Sequence, residues 1–226
     1  MRQDSNGRRD GGRSDLPLEI PVFPLREAVL LPRGRLPLNI FEPRYLAMVD
    51  HALATDRLIG MVRPRHDDFI NPPLYHVGCA GRLTSFMETD DGRYLITLSG
   101  LSRFRITDEE VDEGGFRRAK VDWSPYPADL TQMSDENVAQ RERVLELLVP
   151  YLRAVGLNAD WDTMEGASAE TIVNSVAMSC PFSADEKQLL LEAPDLAARA
   201  NTLIAMMEIA VHDANANGGE GSPPLQ

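Results

Sequence analysis

The 226-residue chain lacks the residues with which ATP-hydrolysing and proteolytic enzymes work. Its only lysines are Lys120 and Lys187, and neither follows a glycine, so the Gly-x-x-x-x-Gly-Lys-Ser/Thr loop that holds nucleotide phosphates is absent. A Ser-Lys dyad and a Gly-x-Ser-x-Gly nucleophile turn are also missing. We therefore expect a non-enzymatic protein without a cofactor.

Cysteines and long apolar runs are scarce as well. Cys79 and Cys180 lie far apart in the sequence, which argues against a disulfide scaffold and a metal site and predicts two buried thiols. No apolar run approaches the ~20 residues that span a bilayer. Residues 1–15 lack the apolar segment of a secretion signal. These absences predict a cytoplasmic protein that binds neither metal nor membrane.

Negative charge is unevenly distributed over the chain. The net charge is −12; residues 16–120 carry 14 basic and 15 acidic side chains, whereas residues 121–212 carry 5 and 15. Nucleic-acid affinity comes largely from lysine and arginine displacing counterions. The acidic second half therefore argues against DNA or RNA as a partner.

Hydrophobic periodicity divides the chain near residue 124. Apolar residues recur mostly at every second position before Trp123 and at helical spacing after Ser134, with the proline-rich connector Ser124-Pro-Tyr-Pro-Ala128 between them. This change predicts an α+β protein with a β-rich lobe over 16–124 and a helical lobe over 125–212. The segments 1–15 and 213–226 are too polar to offset the entropy of ordering, so we expect two disordered tails.

Short apolar segments between glycine, proline and aspartate residues predict the strands of the first lobe. Asp90-Asp-Gly92 supplies the positive-φ positions of a tight hairpin turn. Pro43 suits the first position of a helix, which Leu46, Val49 and Leu53 continue and which closes one end of a small barrel. The predicted strands are Ile20–Phe23, Val29–Leu31, Leu36–Ile40, Leu58–Val62, Tyr75–Glu88, Tyr94–Leu98, Phe104–Thr107 and Ala119–Trp123.

Capping signals predict four helices in the second lobe. Ser134 caps the first, which Pro150 must kink or divide. The second ends before Pro181, because proline disfavours the helical conformation in its predecessor. Ser183-Ala-Asp-Glu186 is a capping box for the third helix, and Asp195 caps the fourth. Their apolar faces are expected to pack against one another and against the barrel.

Polar residues form no convincing catalytic or metal site. His76 lies three residues before Cys79 on a predicted strand, which places the two side chains on opposite faces. The acidic runs Asp108-Glu-Glu110 and Asp112-Glu113 predict a solvated turn before two glycines, and their spacing does not match a calcium loop.

Aromatic, apolar and arginine residues on proline-bearing backbone are the remaining candidates. We favour Phe23 and Phe41 as core residues over ligand contacts by about two to one, because large apolar side chains are usually buried. The functional interpretation is an open apolar groove with arginines at its rim to meet a carboxylate. The predicted peptide-binding residues are Phe23, Pro24, Leu25, Arg26, Phe41, Glu42, Arg44, Tyr45 and Arg82.

Five segments carry a family resemblance. They are Pro21-Val-Phe-Pro-Leu25 with Leu31-Pro32, Pro37-Leu-Asn-Ile-Phe-Glu-Pro-Arg-Tyr45, Val77-Gly-Cys-Ala-Gly81, Gly100-Leu-Ser-Arg-Phe104 and Cys180-Pro-Phe-Ser-Ala-Asp-Glu-Lys-Gln-Leu-Leu190. From Leu18 to about Val211 the chain resembles stand-alone proteins of the Lon protease N-terminal, substrate-binding domain family. The resemblance implies a PUA-like β-barrel, a helical bundle after it, and recognition of polypeptide substrates.

Two functions follow from these observations. The preferred one is a non-catalytic module that binds unfolded or tagged polypeptides, as an adaptor or regulator of proteolysis with a protease or chaperone as partner. The alternative is an RNA-binding protein that uses the PUA-like barrel, which rests on fold analogy alone.

Overall fold

The computed structural model describes residues 16–66, 71–131, 138–157 and 167–218. Strands come first and helices follow, with one helix between the second and third strands, so the fold is α+β as predicted. The strands are β1 (Glu19–Pro24), β2 (Arg35–Ile40), β3 (Leu58–Val62), β4 (Val77–Glu88), β5 (Tyr94–Val111) and β6 (Arg117–Asp122). The helices are α1 (Pro43–Ala54), α2 (Val138–Ala154), α3 (Ala169–Ser179), α4 (Ala184–Glu192) and α5 (Leu196–Gly218), with a 3-10 helix at Pro127–Leu130.

Five strands close into a barrel. The sheet order is β2-β5-β4-β3-β1-β6, and the far half of the 18-residue strand β5 pairs again with β6. β1 runs parallel to β3 and antiparallel to β6. β2 stays outside the closed ring and pairs with the near half of β5, from Arg35 opposite Ser99 to Ile40 opposite Tyr94. Closure removes most strand edges, and β2 carries the edge that remains beside the barrel.

The predictions for three strands and for one acidic turn are wrong. The predicted strands Tyr94–Leu98 and Phe104–Thr107 belong to the single strand β5, which also contains Asp108-Glu-Glu110. That acidic run is not a turn, because it lies opposite the basic residues of β6, with Lys120 Nζ 2.9 Å from Asp108 Oδ2. Opposite charges across a ladder stabilise strand pairing. The predicted strand Val29–Leu31 is an irregular segment whose three side chains are buried.

Local turn and capping signals are confirmed. Gly92 has φ +78° in the β4–β5 hairpin, and Ser183 and Glu186 form both hydrogen bonds of the capping box of α4. α3 ends at Ser179, before Pro181. α2 contains Pro150 without being divided, and the predicted cap Ser134 lies outside the described residues.

The C-terminal helix is longer than predicted. α5 continues to Gly218, so residues 213–218 are helical, which contradicts the prediction that a disordered tail begins at 213. The segments 1–15 and 219–226 lie outside the described residues. Tail prediction from polarity alone fails here because a helix that is already nucleated by packing extends at little further cost.

One cluster of buried apolar side chains crosses the predicted boundary at residue 124. It includes Leu31, Met48 and Leu98 from the first half of the chain and Tyr151 and Leu203 from the helices. A smaller cluster fills the barrel. The division into two lobes at 124 stays a prediction, since the larger cluster is shared by both parts.

The segment Gly100-Leu-Ser-Arg-Phe104 contacts the Leu31 backbone at one end and the barrel interior at the other. A Cβ atom at Gly100 would lie 2.0 Å from the Leu31 carbonyl oxygen, so only glycine fits this close approach of backbone. Phe104 is fully buried in the barrel, where its ring lies 5.8 Å from that of Trp123. Each of these contacts is structural, which accounts for the segment without a catalytic role.

Arg103 forms a buried ion pair that connects three elements. From β5, its Nε donates to Asp129 Oδ2 at 2.8 Å and its Nη2 to Asp129 Oδ1 at 2.8 Å, in the 3-10 helix. Its Nη1 donates to the carbonyl oxygens of Leu191 and Ala193 at the C-terminal end of α4. The guanidinium also lies 4.2 Å above the Tyr126 ring. Barrel, connector and helix are therefore held by one side chain.

A second buried arginine extends this network. Arg199 of α5 donates from Nε to the Leu190 carbonyl oxygen at 2.8 Å and from Nη1 to Asn174 Oδ1 at 3.1 Å. Asn174 in turn donates to the Pro32 carbonyl oxygen at 2.9 Å. Burial, together with the nearby Arg103, lowers the pKa of Arg199 to about 10, so the group keeps its charge at neutral pH.

The buried pair yields the first testable prediction. In the Asp129→Asn variant the Arg103 guanidinium loses its carboxylate while it remains out of water. We expect the free energy of unfolding to fall by about 3 to 5 kcal/mol, the usual effect of breaking a buried pair, as measured by urea denaturation.

A matched control is Asp108→Asn, which removes one partner of the exposed pair with Lys120. Its urea midpoint should stay at the parent value, because exposed pairs contribute little. Equal midpoints for the two variants would show that the buried pair does not stabilise the fold.

Candidate functional site

A cavity of about 190 Å³ opens at the start of α1. It is lined by the end of β1, by the first turn of α1 and by the turn between β5 and β6. Pro43 at the first position of α1 fixes where the helix begins, and Gly115 has φ +80° in the turn opposite. The side chains that shape the cavity are Pro24, Arg44, Tyr45, Phe116 and Arg117.

Tyr45 is the centre of this cavity. Its ring lies 4.4 Å from the Phe23 ring beneath it, and the Arg44 guanidinium lies 4.5 Å above it. Burial raises the pKa of Tyr45, and the neighbouring Arg44 opposes part of that rise. The hydroxyl is therefore neutral at physiological pH and can donate or accept a hydrogen bond.

The arginines of the cavity are already neutralised. Arg44 Nη2 lies 2.9 Å from Glu42 Oε2. Arg117 pairs with Glu109, and its Nη1 donates to the Pro72 carbonyl oxygen at 2.6 Å. The cavity therefore offers aromatic and proline surfaces with polar edges, and little net charge for a carboxylate.

The structure brings together part of the predicted site. Pro24, Arg44 and Tyr45 line the cavity, Phe23 supports Tyr45 from the core, and Glu42 holds Arg44. Of the candidate rim arginines Arg26, Arg44 and Arg82, Arg44 is the one that lines this cavity. The remaining residues lie elsewhere: Leu25 packs against the main core, Arg26 lines a narrow cleft beside α4, and Arg82 of β4 donates to the Asp56 carbonyl oxygen at 3.3 Å.

Phe116 and Arg117 line the cavity but were not among the predicted site residues. Both follow the glycine pair Gly114-Gly115, which was interpreted only as part of a solvated turn. The turn itself is present, with Gly115 donating to the Asp112 carbonyl oxygen at 2.9 Å. An aromatic residue directly after a tight turn was the available signal, but nothing local indicated that barrel closure brings this turn to α1.

An apolar patch, defined as Phe41, Met87 and Leu95, lies on one face of the sheet beside the cavity segment, whereas Phe86 lies on the opposite face. The expectation that Phe41 is a core residue is wrong, since its side chain is 64% exposed, and Met87 is 54% exposed. Strand alternation explains the difference, because Ile40 turns inward and Phe41 follows it outward. Met87 lies opposite Leu95 in the β4–β5 ladder, and the Phe86 ring lies 4.9 Å from the Tyr94 ring.

The open edge of β2 is poorly suited to pairing with another strand. Just before β2, the Gly100 N–H donates to the Gly34 carbonyl oxygen and the Gly100 carbonyl oxygen accepts from the Arg33 N–H. The Thr97 carbonyl oxygen accepts from Thr84 Oγ1 of β4. By alternation, Leu36, Leu38 and Ile40 bond to β5, whereas the backbone of residues 35, 37 and 39 faces the open side. Pro37 has no N–H to donate there. Pairing with another strand would lack one ladder hydrogen bond at Pro37, so side-chain contacts gain weight at this face.

Catalytic thiol chemistry finds no support among the described residues. Cys79 is fully buried whereas His76 is exposed, so the predicted separation of the two side chains is confirmed. Burial raises the pKa of Cys79 well above its ordinary range and that of Cys180 to about 11. Within the same residues, no group of three or more histidine, cysteine, aspartate or glutamate side chains is arranged to hold a metal ion.

The longest helix, α5, has 23 residues, yet no helix in the described ranges combines the length and apolarity needed to cross a bilayer.

A closed barrel followed by helices, with aromatic and apolar side chains open at α1, defines the class of this protein. It is an α+β domain. The sequence profile described as "ATP-dependent protease La (LON) substrate-binding domain" matches residues 19–208. The chain belongs to this family.

Individual relatives agree with the family match. Lon protease 2 of Myxococcus xanthus is 28% identical over 203 residues, which cover 86% of this chain and 24% of that protein. Lon protease 2 of Sorangium cellulosum is 29% identical over 196 residues, with 83% and 24% covered. The chain thus spans about a quarter of the length of these curated relatives.

Solved structures show the same fold. The crystal structure of a Lon N-terminal domain protein from Xanthomonas campestris has a TM-score of 0.58 and 26% identity, and the match covers 83% of this chain and 97% of that one. The N-terminal domain of a Mycobacterium avium complex Lon protease has a TM-score of 0.63 and 18% identity, with 84% and 98% covered.

Thiol reactivity provides the second prediction. Near pH 8.5, where a free cysteine is about half ionised, Cys79 and Cys180 should resist a maleimide reagent in the folded protein, because burial keeps both thiols neutral. Both should react rapidly in concentrated urea. Mass spectrometry of the labelled chain measures each site, and rapid labelling of the folded protein would contradict the buried placement.

Proposed function

We propose that this chain binds exposed apolar segments of unfolded or tagged polypeptides in the cytoplasm without transforming them, as an adaptor or regulator of proteolysis. The observation that carries the proposal is the apolar patch on a domain of the Lon substrate-binding family. A protease or chaperone is the expected recipient of the bound polypeptide.

The patch has the physical character of a recognition surface. Exposed large apolar residues that lie together are unusual on a soluble domain and mark sites of interaction. Met87 supplies a flexible, polarisable side chain that adapts to different partners. Phe41 supplies aromatic surface, which contributes strongly to binding energy at interfaces. A surface of this kind favours many apolar sequences rather than one.

The Tyr45 cavity supports the same function. Its volume of about 190 Å³ accommodates one side chain rather than a drug-sized ligand. Its lining combines proline surface with polar groups over the largely buried rings of Tyr45 and Phe116, which favours a side chain with both apolar and polar parts. Phe41 belongs to the patch, and Arg44 and Tyr45 of the following turn belong to the cavity. A single extended segment could therefore contact both through its side chains.

Binding to an unfolded probe tests the proposal. The probe is a fluorescein-labelled protein that has been reduced and carboxymethylated so that it stays unfolded, and affinity is measured by fluorescence anisotropy. The F41S/M87S double variant should bind at least about tenfold more weakly, since central apolar contacts each contribute more than 1 kcal/mol.

The matched control is L189S/I209S, which removes two side chains that are 59% and 62% exposed on α4 and α5. This variant should keep the parent affinity. Unchanged binding by F41S/M87S, with an unchanged urea midpoint, would reject the patch as the site of recognition.

A further inference from the structure

We infer that a second groove, lined by Arg65, Tyr75, His76 and Arg105, binds carboxylate-bearing segments of the polypeptide. We name these four residues the arginine groove. This inference rests on the proposed function and adds a charge preference to it. The groove encloses about 660 Å³ and also borders His66, Val77 and Glu192.

Backbone bonds hold the groove in place. Pro64 and Leu74 form an isolated antiparallel bridge, and Arg65 N donates to the Pro73 carbonyl oxygen at 2.8 Å. Tyr75 N donates to the Arg63 carbonyl oxygen at 2.9 Å. On the other side, Ile106 N donates to the His76 carbonyl oxygen at 2.7 Å. The strand that carries Arg105 is thereby tied to the segment that carries Tyr75.

The two arginines of the groove retain unused donors. Arg65 Nε donates to the Leu74 carbonyl oxygen at 3.0 Å, and its guanidinium lies 5.5 Å from the Tyr75 ring centre. Its two terminal nitrogens have no partner in the described part of the chain. Arg105 is exposed and forms no hydrogen bond or ion pair there either. Both guanidinium groups can therefore receive an anion.

This situation differs from that of eight other arginines in the described part of the chain. Carboxylate partners are found for Arg33, Arg44, Arg63, Arg93, Arg103, Arg117, Arg118 and Arg143. A chain with a net charge of −12 has ample carboxylates to pair its cations. Two guanidiniums without a carboxylate partner in one groove are therefore a local reversal of the overall charge.

Carboxylates near the groove are already engaged. Glu192 Oε1 accepts from Gln188 Nε2 at 2.7 Å. In the adjoining cavity, Asp108 pairs with Lys120 and Glu109 pairs with Arg117. Glu192 partly offsets the cations, but two guanidiniums outnumber it. The local potential is positive and favours an incoming carboxylate.

The composition of the groove favours a protein carboxylate over a nucleic-acid backbone. A nucleic-acid site needs a run of cations that neutralise several successive phosphates. Two guanidiniums beside one aromatic ring instead fit one or two carboxylates whose aliphatic stems pack on Tyr75. Glu192 at the border would repel a longer phosphate chain. We therefore assign the groove to aspartate or glutamate side chains of a bound segment.

Two short fluorescein-labelled peptides test the assignment. Both carry the same leucine and phenylalanine residues, and one has glutamate wherever the other has glutamine. At low salt the glutamate peptide should bind about fivefold more tightly, which corresponds to two modest charge pairs. The R65Q/R105Q variant should lose this preference while it binds the glutamine peptide as the parent does.

The control variant R57Q/R153Q removes two other exposed arginines. It should keep the glutamate preference, and an equal loss in both variants would reduce the effect to net charge and overturn the assignment. Equal affinity of the parent for the two peptides would also overturn it while leaving the proposed function intact. Failure of both peptides to bind would reject the proposed function and this inference together.

A labelled single-stranded oligonucleotide is the final comparison. The parent should bind it more weakly than the glutamate peptide at the same ionic strength. Tighter binding of the oligonucleotide, lost in R65Q/R105Q, would assign the groove to nucleic acid and overturn the assignment to polypeptide carboxylates.

Discussion

The arrangement of barrel and helices depends on how the C-terminal end of α4 is satisfied. α4 has no basic residue in its last turn, and a helix leaves its final carbonyl groups without partners. Arg103 and Arg199 supply the missing donors from β5 and α5, to Leu190, Leu191 and Ala193. Because positive charge at a helix C-terminus is favourable, the two buried arginines serve as a cap made by tertiary structure. Asp129 offsets part of their buried charge.

This cap also determines the candidate recognition surfaces. Glu192 ends α4 and borders the arginine groove, in which Arg105 lies two residues after Arg103 on the same strand. Phe104 and Ile106 of β5 belong to the cluster inside the barrel, so strand alternation places Arg103 and Arg105 on its outer face. Arg103 is buried there beneath α4, whereas Arg105 is exposed. The groove is therefore formed between a strand and a helix that Arg103 connects. A change in the buried pair would alter the groove without touching its lining.

Sequence patterns predicted the parts of the fold that depend on neighbouring residues. The Gly92 hairpin, the Ser183 capping box and the helix end before Pro181 each rest on contacts within a few positions, and each is confirmed. Pairing across the barrel was beyond such patterns. The acidic end of β5 became a strand because β6 supplies opposite charges, and the burial of Arg103 depends on Asp129, 26 residues away. Charge alone predicts exposure, whereas a distant partner permits burial.

The candidate site was predictable only in part for the same reason. The proline-bearing segment at the start of α1 indicated Arg44 and Tyr45, but the opposite wall, Phe116 and Arg117, comes from a turn about seventy positions later that barrel closure brings there. Phe41 and Phe23 have the same side chain, but Phe41 is exposed and Phe23 is buried. Phe23 packs beneath Tyr45, whereas Phe41 stands one residue past the last inward position of β2. An apolar residue that the strand period directs outward costs stability in water, so its exposure beside a side-chain-sized cavity is best explained by a partner that covers it.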